Sequence, residues 1–176
     1  ILKRLIADTD VVLVNYRPDV VAKLGVDYEK LSGINPRLIY CDLTAYGSQG
    51  PDAHRPGYDL VLQAISGMIA AENKIENGVP QQIWSGALID TTSGFCLAWS
   101  VCAALFARER TGKGQRVESN LLGSTLTLLG MRLVQVESID QATREQNLED
   151  LSAMRGAGMS LQEMLSVYQA KHRRVG

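Results

Sequence analysis

The chain has few of the residues that build metal clusters and disulfide frameworks. Among its 176 residues are only 2 histidines and 3 cysteines. Cys41, Cys96 and Cys102 are odd in number and lack C-x-x-C spacing, so a zinc ribbon or a disulfide scaffold is not expected. No group of His, Cys, Asp and Glu shows the spacing of metal ligands. We therefore expect no metal site, and we expect the three thiols to be reduced and buried among apolar neighbours.

An excess of charge of either sign is also missing. The 18 Lys and Arg side chains nearly balance the 19 Asp and Glu side chains, and the net charge is −1. This balance gives no electrostatic basis for binding nucleic acid or an anionic membrane surface. No uninterrupted apolar run reaches the roughly 20 residues of a membrane-spanning helix, and the first residues lack a signal-peptide pattern. We expect a cytoplasmic protein with no nucleic-acid or membrane partner.

Alternating strand and helix patterns occupy the first part of the chain. Apolar runs at residues 10–15 and 37–43 predict two buried strands, with short helices predicted near residues 19–23 and 28–32. The predicted fold class is therefore α/β, with a partial doubly wound parallel sheet. Ligands of such sheets bind at the carboxyl ends of the strands, which is where Asn15 lies.

The later part of the chain is predicted to be mostly helical. Asp59 suits the start of a helix in which Leu60, Ala64 and Ile65 follow helical spacing. Residues 72–83 are expected to form a polar surface loop. The remaining predictions are one or two long helices over residues 121–154, and a last helix that begins at a capping box formed by Ser160 and Glu163.

The most informative stretch begins at Asp90. Three hydroxyl residues and Gly94 follow it, and then comes an apolar run over residues 95–107 that ends in charges and Gly112. This pattern predicts a helix buried on most of its circumference, with a left-handed stop at Gly112. Asp90 at its N-terminal end is either a helix cap, the commoner use of Asp, or an ionised and desolvated nucleophile at a cleft. The local sequence leaves both readings open.

Four ordered blocks resemble the class III coenzyme A transferases, a family that includes formyl-CoA and carnitine CoA-transferases and the α-methylacyl-CoA racemases. Asp90 with Gly94 and the apolar helix form one block, and residues 107–117 (Ala-Arg-Glu-Arg-Thr-Gly-Lys-Gly-Gln-Arg-Val) form another. The other two blocks are residues 14–25, which contain Asn-Tyr-Arg-Pro, and residues 35–59, which contain Arg-Pro-Gly-Tyr-Asp. The resemblance covers about residues 1–145.

The resemblance carries an expected domain organisation. It implies a partial large α/β domain over residues 1–120, linker helices over residues 121–155, and the start of a small domain over residues 156–176. It also implies that the chain is an internal fragment, inactive on its own, of a longer protein that forms an interlocked homodimer.

The same resemblance implies a function and site residues. A CoA transferase moves CoA between an acyl-CoA and a carboxylic acid, so coenzyme A is substrate and product, and no permanently bound cofactor is expected. Asp90 matches the family's catalytic aspartate, which forms an anhydride and then an aspartyl-CoA thioester. Asn15 would line the CoA site, and Lys23 replaces a basic residue that contacts its phosphates. Tyr58 would hold the pantetheine arm, and Arg17 is either a further CoA contact or an ordinary surface charge.

Two other functions stay open at this point. The racemases of the family carry His at the position of Tyr58. A tyrosine side chain, whose ordinary pKa is about 10, is a poor base for removing an α-proton. A racemase or epimerase is therefore one alternative, and a non-catalytic CoA- or nucleotide-binding remnant is the other. The loop over residues 72–83 carries both signs of charge but no Arg, which favours a monocarboxylic or carnitine-like acceptor over oxalate.

Overall fold

A computed structural model describes residues 1–71, 74–77, 79–81, 86–134 and 136–171. The chain divides into two compact units, one of residues 1–66 with 86–128 and the other of residues 67–85 with 129–176. The boundaries at residues 120 and 155 stay predictions. The elements in chain order are α1 (Leu2–Ile6), β1 (Val11–Val14), α2 (Pro18–Leu24), α3 (Tyr28–Ser32), β2 (Ile39–Thr44), α4 (Asp59–Ile65), α5 (Met68–Ala71), β3 (Ile75–Glu76), β4 (Val79–Pro80), α6 (Leu88–Thr111), β5 (Gln115–Asn120), α7 (Leu121–Leu129), a 3₁₀ turn (Gly130–Arg132), α8 (Glu137–Gly156) and α9 (Leu161–Lys171).

A parallel three-stranded sheet in the order β1-β2-β5 is the centre of the first unit. Alternate side chains of the strands point to opposite faces, so each face has its own apolar cluster. The face that carries Val14 and Tyr40 is covered by α1, α2 and α3, through Ile6, Val21 and Leu31. The other face packs Ile39 and Cys41 against Leu97 and Ala104 of α6. The structure therefore confirms the α/β class and the parallel sheet.

The long helix α6 is buried along one side. Its buried residues are Ile89, Ser93, Leu97, Ala104 and Arg108, and the sheet lies against that side. The prediction that most of its circumference is buried was wrong, because among the described residues its opposite side has no such cover. Cys96 and Cys102 lie there and are exposed, against the expectation of buried thiols. Length and composition alone would let α6 cross a membrane, but its packing is that of a helix laid on a sheet.

Helix α4 begins at Asp59, as predicted, but it buries a different side from the one its apolar residues mark. Asp59, Leu62 and Gln63 are buried, whereas Leu60 is 50% exposed and Ile65 is 54% exposed. The polar pair at positions i and i+4 therefore faces the interior of the unit. This inversion matters because Asp59 contacts the start of α6.

The described residues of the second unit form the helices α5, α8 and α9, a 3₁₀ turn and a hairpin. Strands β3 and β4 pair antiparallel within the stretch predicted as a loop, of which residues 72, 73, 78, 82 and 83 lie outside the described residues. The predicted capping box of α9 is confirmed: Ser160 N–H donates to Glu163 at 2.8 Å, and Glu163 N–H donates to the Ser160 hydroxyl at 3.3 Å.

Candidate active site

A cleft of about 250 Å³ opens where β1 and β2 end. The chain after β1 supplies Asn15, Arg17 and the first turn of α2, and the end of β2 supplies Thr44 and Ala45. The loop before α4 closes the third side. The lining from that loop is Ala53, Arg55, Pro56, Gly57 and Tyr58. This is the edge of the sheet at which the sequence predicted a ligand site.

The cleft is rimmed by two arginines that keep much of their surface in solvent. The Arg17 guanidinium lies 3.1 Å from Asp19 and is 51% exposed. The Arg55 guanidinium lies 3.0 Å from Asp52 and is 60% exposed. Exposed ion pairs of this kind are weak, so both guanidinium groups can exchange their partner for an anionic ligand at little cost.

Not every predicted site residue lies on this cleft. Asn15, Arg17 and Tyr58 line it, and the Tyr58 side chain is 74% exposed. Lys23 lies one turn further along α2, is 79% exposed and is 3.9 Å from Asp19, and it is not among the residues that line the cleft. Asp90 is not among them either. Arg55 was not singled out from the sequence as a ligand contact, although it belongs to the Arg-Pro-Gly-Tyr-Asp block.

Asp59 connects the cleft to the start of α6. It follows Tyr58 directly, is 8% exposed, and its Oδ2 atom accepts hydrogen bonds from Ile89 N–H at 2.7 Å and Asp90 N–H at 3.0 Å. Its other oxygen, Oδ1, accepts a hydrogen bond from the side-chain amide of Gln63. Asp59 therefore caps α6 from another helix.

Asp90 is not the cap of its own helix. Helix α6 starts one turn earlier than its local sequence suggested, and its N-cap is Ala87, which has no capping side chain. Asp90 is the third residue of the helix and is exposed. Since Asp59 makes the capping hydrogen bonds, the Asp90 carboxylate keeps its oxygens for other partners. The structure thus removes the competition between capping and nucleophilic attack that the sequence left open.

The pKa of Asp90 is raised above its ordinary value. Partial burial of the carboxyl group is the larger cause, and the nearby Asp59 carboxylate adds to it. This direction is opposite to the one expected from a free helix N-terminus, where the dipole would favour the ionised form. A carboxylate with a raised pKa is more basic and hence a stronger nucleophile once it is ionised.

The first-turn amides of α6 are all engaged. Leu88 N–H donates to the carbonyl of Gly86 at 3.0 Å, and Thr91 N–H donates to the carbonyl of Ala87 at 2.9 Å. The two amides between them donate to Asp59. This helix turn therefore offers no free backbone donor for an oxyanion, because its amides already have partners.

Open space lies beside Asp90 on α6. A Cβ atom added at Gly94 would meet nothing within 4 Å among the described residues. Gly94 is therefore not required by packing in the described part of the chain. Its exposed position one turn after Asp90 leaves room for a substrate to approach the carboxylate closely.

Sequence reasoning did not identify two residues of this arrangement as functional. Asp59 was read as the start of a helix, and Gln63 was not considered. The signal that could have found them is a polar pair four residues apart in an otherwise apolar helix, since such a pair shares one helix face.

Comparison with known proteins decides the family. The sequence profile of CoA-transferase family III matches residues 1–173. The chain belongs to CoA-transferase family III. It is 39% identical over 129 residues to the acetyl-CoA:oxalate CoA-transferase of Acetobacter aceti, covering 73% of this chain and 33% of that protein. It is 38% identical over 129 residues to the succinyl-CoA:glutarate CoA-transferase of Mus musculus, covering 73% of this chain and 29% of that protein.

Solved structures of the family agree in fold. The structure of Rv3272 from Mycobacterium tuberculosis in its orthorhombic form is 41% identical, with a TM-score of 0.70 over 75% of this chain and 36% of that one. A CAIB/BAIF family protein from Brucella suis is 37% identical, with a TM-score of 0.66 over 73% of this chain and 34% of that one. The chain spans about a third of the length of the relatives it matches.

Proposed function

We propose that this chain carries the nucleophile and part of the acyl-CoA site of an enzyme that moves CoA between an acyl-CoA and a carboxylic acid. The observation that carries the proposal is the Asp90 carboxylate, which has no hydrogen-bond partner among the described residues, at a helix start that Asp59 already caps. The cleft lined by Asn15, Arg17 and Tyr58 leads along the chain to Asp59 and supports a CoA site beside it. Membership of CoA-transferase family III is consistent with this chemistry.

The proposed reaction is two pairs of acyl transfers at Asp90. The carboxylate attacks the thioester carbonyl and expels CoA thiolate, which gives a mixed anhydride. The thiolate attacks the Asp90 carbonyl of the anhydride, which forms an aspartyl-CoA thioester and releases the first acid as its carboxylate. The acceptor carboxylate attacks that thioester and again expels the thiolate. The thiolate then attacks the acceptor's carbonyl, which yields the new acyl-CoA and regenerates the Asp90 carboxylate.

The roles at the cleft follow from its charges. Arg17 and Arg55 are placed at its rim to meet the phosphates of CoA, since guanidinium groups bind phosphate oxygens bidentately. Lys23, further out on α2, would add a longer-range charge. Tyr58 presents an exposed ring between the cleft and Asp59, where the pantetheine arm would pass.

Trapping the enzyme-bound intermediate tests the proposal. Full-length protein is incubated with an acyl-CoA and treated with hydroxylamine or borohydride, and its peptides are analysed by mass spectrometry. The expected product is an aspartyl hydroxamate, or the reduced alcohol, at Asp90. Asp90→Ala should abolish both labelling and transfer, whereas Asp8→Asn, at an exposed aspartate outside the cleft, should change neither. Normal transfer by Asp90→Ala would refute the proposal.

The acid that accepts CoA is open to direct measurement. The two relatives described above are named for oxalate and glutarate, whereas the loop over residues 72–83 favours a monocarboxylic or carnitine-like acceptor in this chain. The experiment offers full-length protein one acyl-CoA donor with a panel of acids and detects each new CoA ester by mass spectrometry. It distinguishes a dicarboxylic from a monocarboxylic acceptor. Preferred turnover of oxalate or glutarate would overturn the monocarboxylic preference and leave the Asp90 mechanism intact.

A racemase remains testable on the same protein. Tyr58 at the mouth of the cleft stands where the family's racemases carry His, which argues for transfer. Proton exchange at the α-carbon of a 2-methylacyl-CoA in deuterated water would instead support racemisation. If full-length protein bound no CoA in a titration, the result would support a non-catalytic remnant and would refute the transferase proposal.

We further propose a cytoplasmic homodimer as the working form. The exposed apolar side chains of α6 support a protein partner, because Phe95, Trp99 and Phe106 are each at least 60% exposed. Sedimentation of full-length protein should give the mass of a dimer, and a monomer would contradict this part of the proposal.

A further inference from the structure

We propose that Asp59 is a positioning residue of the transfer reaction, which caps α6 in place of Asp90 and so keeps the nucleophile free. The inference rests on the proposed function of Asp90, but its structural half can be measured without activity. Asp59 lies on α4, outside the helix that carries the nucleophile, and the two aspartates are 31 residues apart in the chain.

Both oxygens of Asp59 are committed. Oδ2 accepts the amides of Ile89 and Asp90, and Oδ1 accepts the side-chain amide of Gln63, which is itself 4% exposed. Gln63 follows Asp59 by one turn of α4, so it fixes the rotation of the carboxylate plane. The carboxylate is therefore held in one orientation, with its Oδ2 atom directed at the start of α6.

Loss of Asp59 would draw Asp90 into capping. Asp90 is the third residue of α6, and an acidic side chain at that position can bend back to the amide of the N-cap residue. With Asp59 in place, the amides of Ile89 and Asp90 have an acceptor. Removing Asp59 leaves these two amides without it, and the positive helix end then attracts the Asp90 carboxylate, which lies on the same turn.

The charge of Asp59 also acts on Asp90. Helix α6 packs against α4, β2 and β5. The charged residues of β2 and β5 that pair with one another, Asp42, Arg116 and Glu118, alternate with Cys41 and Val117 and therefore lie on the opposite face of the sheet. Asp59 is thus the charged group that faces Asp90 from these described elements, and its carboxylate raises the pKa of Asp90 together with burial.

Two substitutions separate the capping contact from the charge. Asp59→Ala removes both. Asp59→Asn keeps an oxygen that can accept the two amides, while its NH₂ group can donate to Gln63 after that side-chain amide turns over. The matched control is Asp27→Ala, which removes the cap of α3, where Asp27 accepts the amide of Lys30 at 3.0 Å.

Amide hydrogen exchange and the pH profile of acyl trapping are measured on full-length protein. In Asp59→Ala the amides of Ile89 and Asp90 should lose protection, and trapping at Asp90 should slow roughly 100-fold, as small misplacements of a nucleophile do. In Asp59→Asn the amides should stay protected, and the acid limb of the trapping rate should move to lower pH. Asp27→Ala should lose protection at Lys30 and trap at the wild-type rate.

The outcomes decide the inference separately from the proposed function. Unchanged protection at Ile89 and Asp90 in Asp59→Ala would overturn the capping role. Wild-type trapping with an unshifted acid limb in Asp59→Asn would overturn the electrostatic role, and this variant serves if Asp59→Ala does not fold. If the wild-type protein traps no acyl group at all, the proposed function fails, and the exchange rates alone then decide whether Asp59 caps α6.

Discussion

At the scale of single residues, the site sets two carboxyl groups beside each other at one helix start. Partial burial and, as the smaller cause, the Asp59 carboxylate raise the pKa of Asp90, so the folded protein holds the Asp90 proton more tightly than the unfolded chain does. Above the folded pKa the ionised Asp90 therefore lowers the free energy of unfolding. Below the unfolded pKa of about 3.9 both states are protonated, and this penalty is absent.

Asp90→Asn should consequently stabilise the protein at neutral pH while abolishing transfer. The increase in Tm should shrink as the pH falls through the folded pKa of Asp90 and should vanish below about pH 3.9, where both states are protonated. Thermal unfolding of wild type and variant across pH checks this. A lower Tm for Asp90→Asn at neutral pH would contradict this account of the site.

A substitution at Gly94 should also affect stability and activity in opposite directions. Alanine is favoured over glycine inside a helix by about 1 kcal/mol, and an added Cβ meets nothing within 4 Å among the described residues. Gly94→Ala should therefore raise the free energy of unfolding by up to about that amount. If substrate approaches Asp90 across this residue, the same variant should raise KM for the acyl-CoA. Unchanged kinetics would remove Gly94 from the site.

The roles of some of these residues could be predicted from the sequence, and the roles of others could not. Asn15, Arg17 and Tyr58 could be placed at a cleft because strand ends and family blocks are local features. The capping contact of Asp59 joins residues 31 positions apart, and no periodicity within one helix reports such a contact. The free carboxylate of Asp90 followed only from that contact, because an Asp near a helix start is usually the cap itself.

At the scale of elements, Arg108 ties the end of α6 to the sheet. It is 7% exposed, its guanidinium lies 2.9 Å from the Asp10 carboxylate, and it donates to the carbonyl of Arg37 at 3.1 Å. These contacts hold the far end of the helix whose start carries Asp90.

Arg108→Met should lower the free energy of unfolding by about 2 kcal/mol, because charge-assisted hydrogen bonds are lost while the apolar stem is kept. The matched control is Arg110→Met, at an exposed arginine that stacks on Phe106 at 3.8 Å and should change stability by no more than about 0.5 kcal/mol. Urea unfolding of both variants measures the difference. Equal effects of the two substitutions would show that the buried contacts of Arg108 add no more to the free energy of unfolding than an exposed arginine does.

The element predictions succeeded where the signal was local and failed where burial depended on neighbours. Helix α3 spans Tyr28–Ser32 as predicted, and Gly112 ends α6 in the left-handed conformation with a φ of 71°. The apolar run of α6 could not say which side the sheet would cover, so Cys96 and Cys102 were misplaced. Gly67, with a φ of 78°, lies between Ser66, the C-cap of α4, and the first residue of α5.

At the scale of the whole molecule, the first unit holds Asp90, which we propose as the nucleophile, the Asp59 carboxylate that caps its helix, and the cleft that we propose for CoA. It does not offer an oxyanion site at the start of α6, because the first-turn amides are engaged by Asp59, Gly86 and Ala87. We therefore expect the donors that stabilise the oxyanion to come from residues outside this helix turn. The central claim of the proposed function is that the Asp90 carboxylate exchanges an oxygen atom with the acids between which CoA is moved.

Transfer of labelled oxygen tests that claim most directly. When an acceptor carboxylate opens the aspartyl thioester, one of its oxygens bridges the two carbonyl groups, and attack by thiolate on the acceptor's carbonyl leaves that oxygen on Asp90. Full-length protein is turned over with an unlabelled acyl-CoA and an acceptor acid carrying heavy oxygen in its carboxylate, and is then digested and analysed by mass spectrometry. The account predicts heavy oxygen in the peptide that contains Asp90 and in no other peptide. Product formation without label at Asp90 would contradict it.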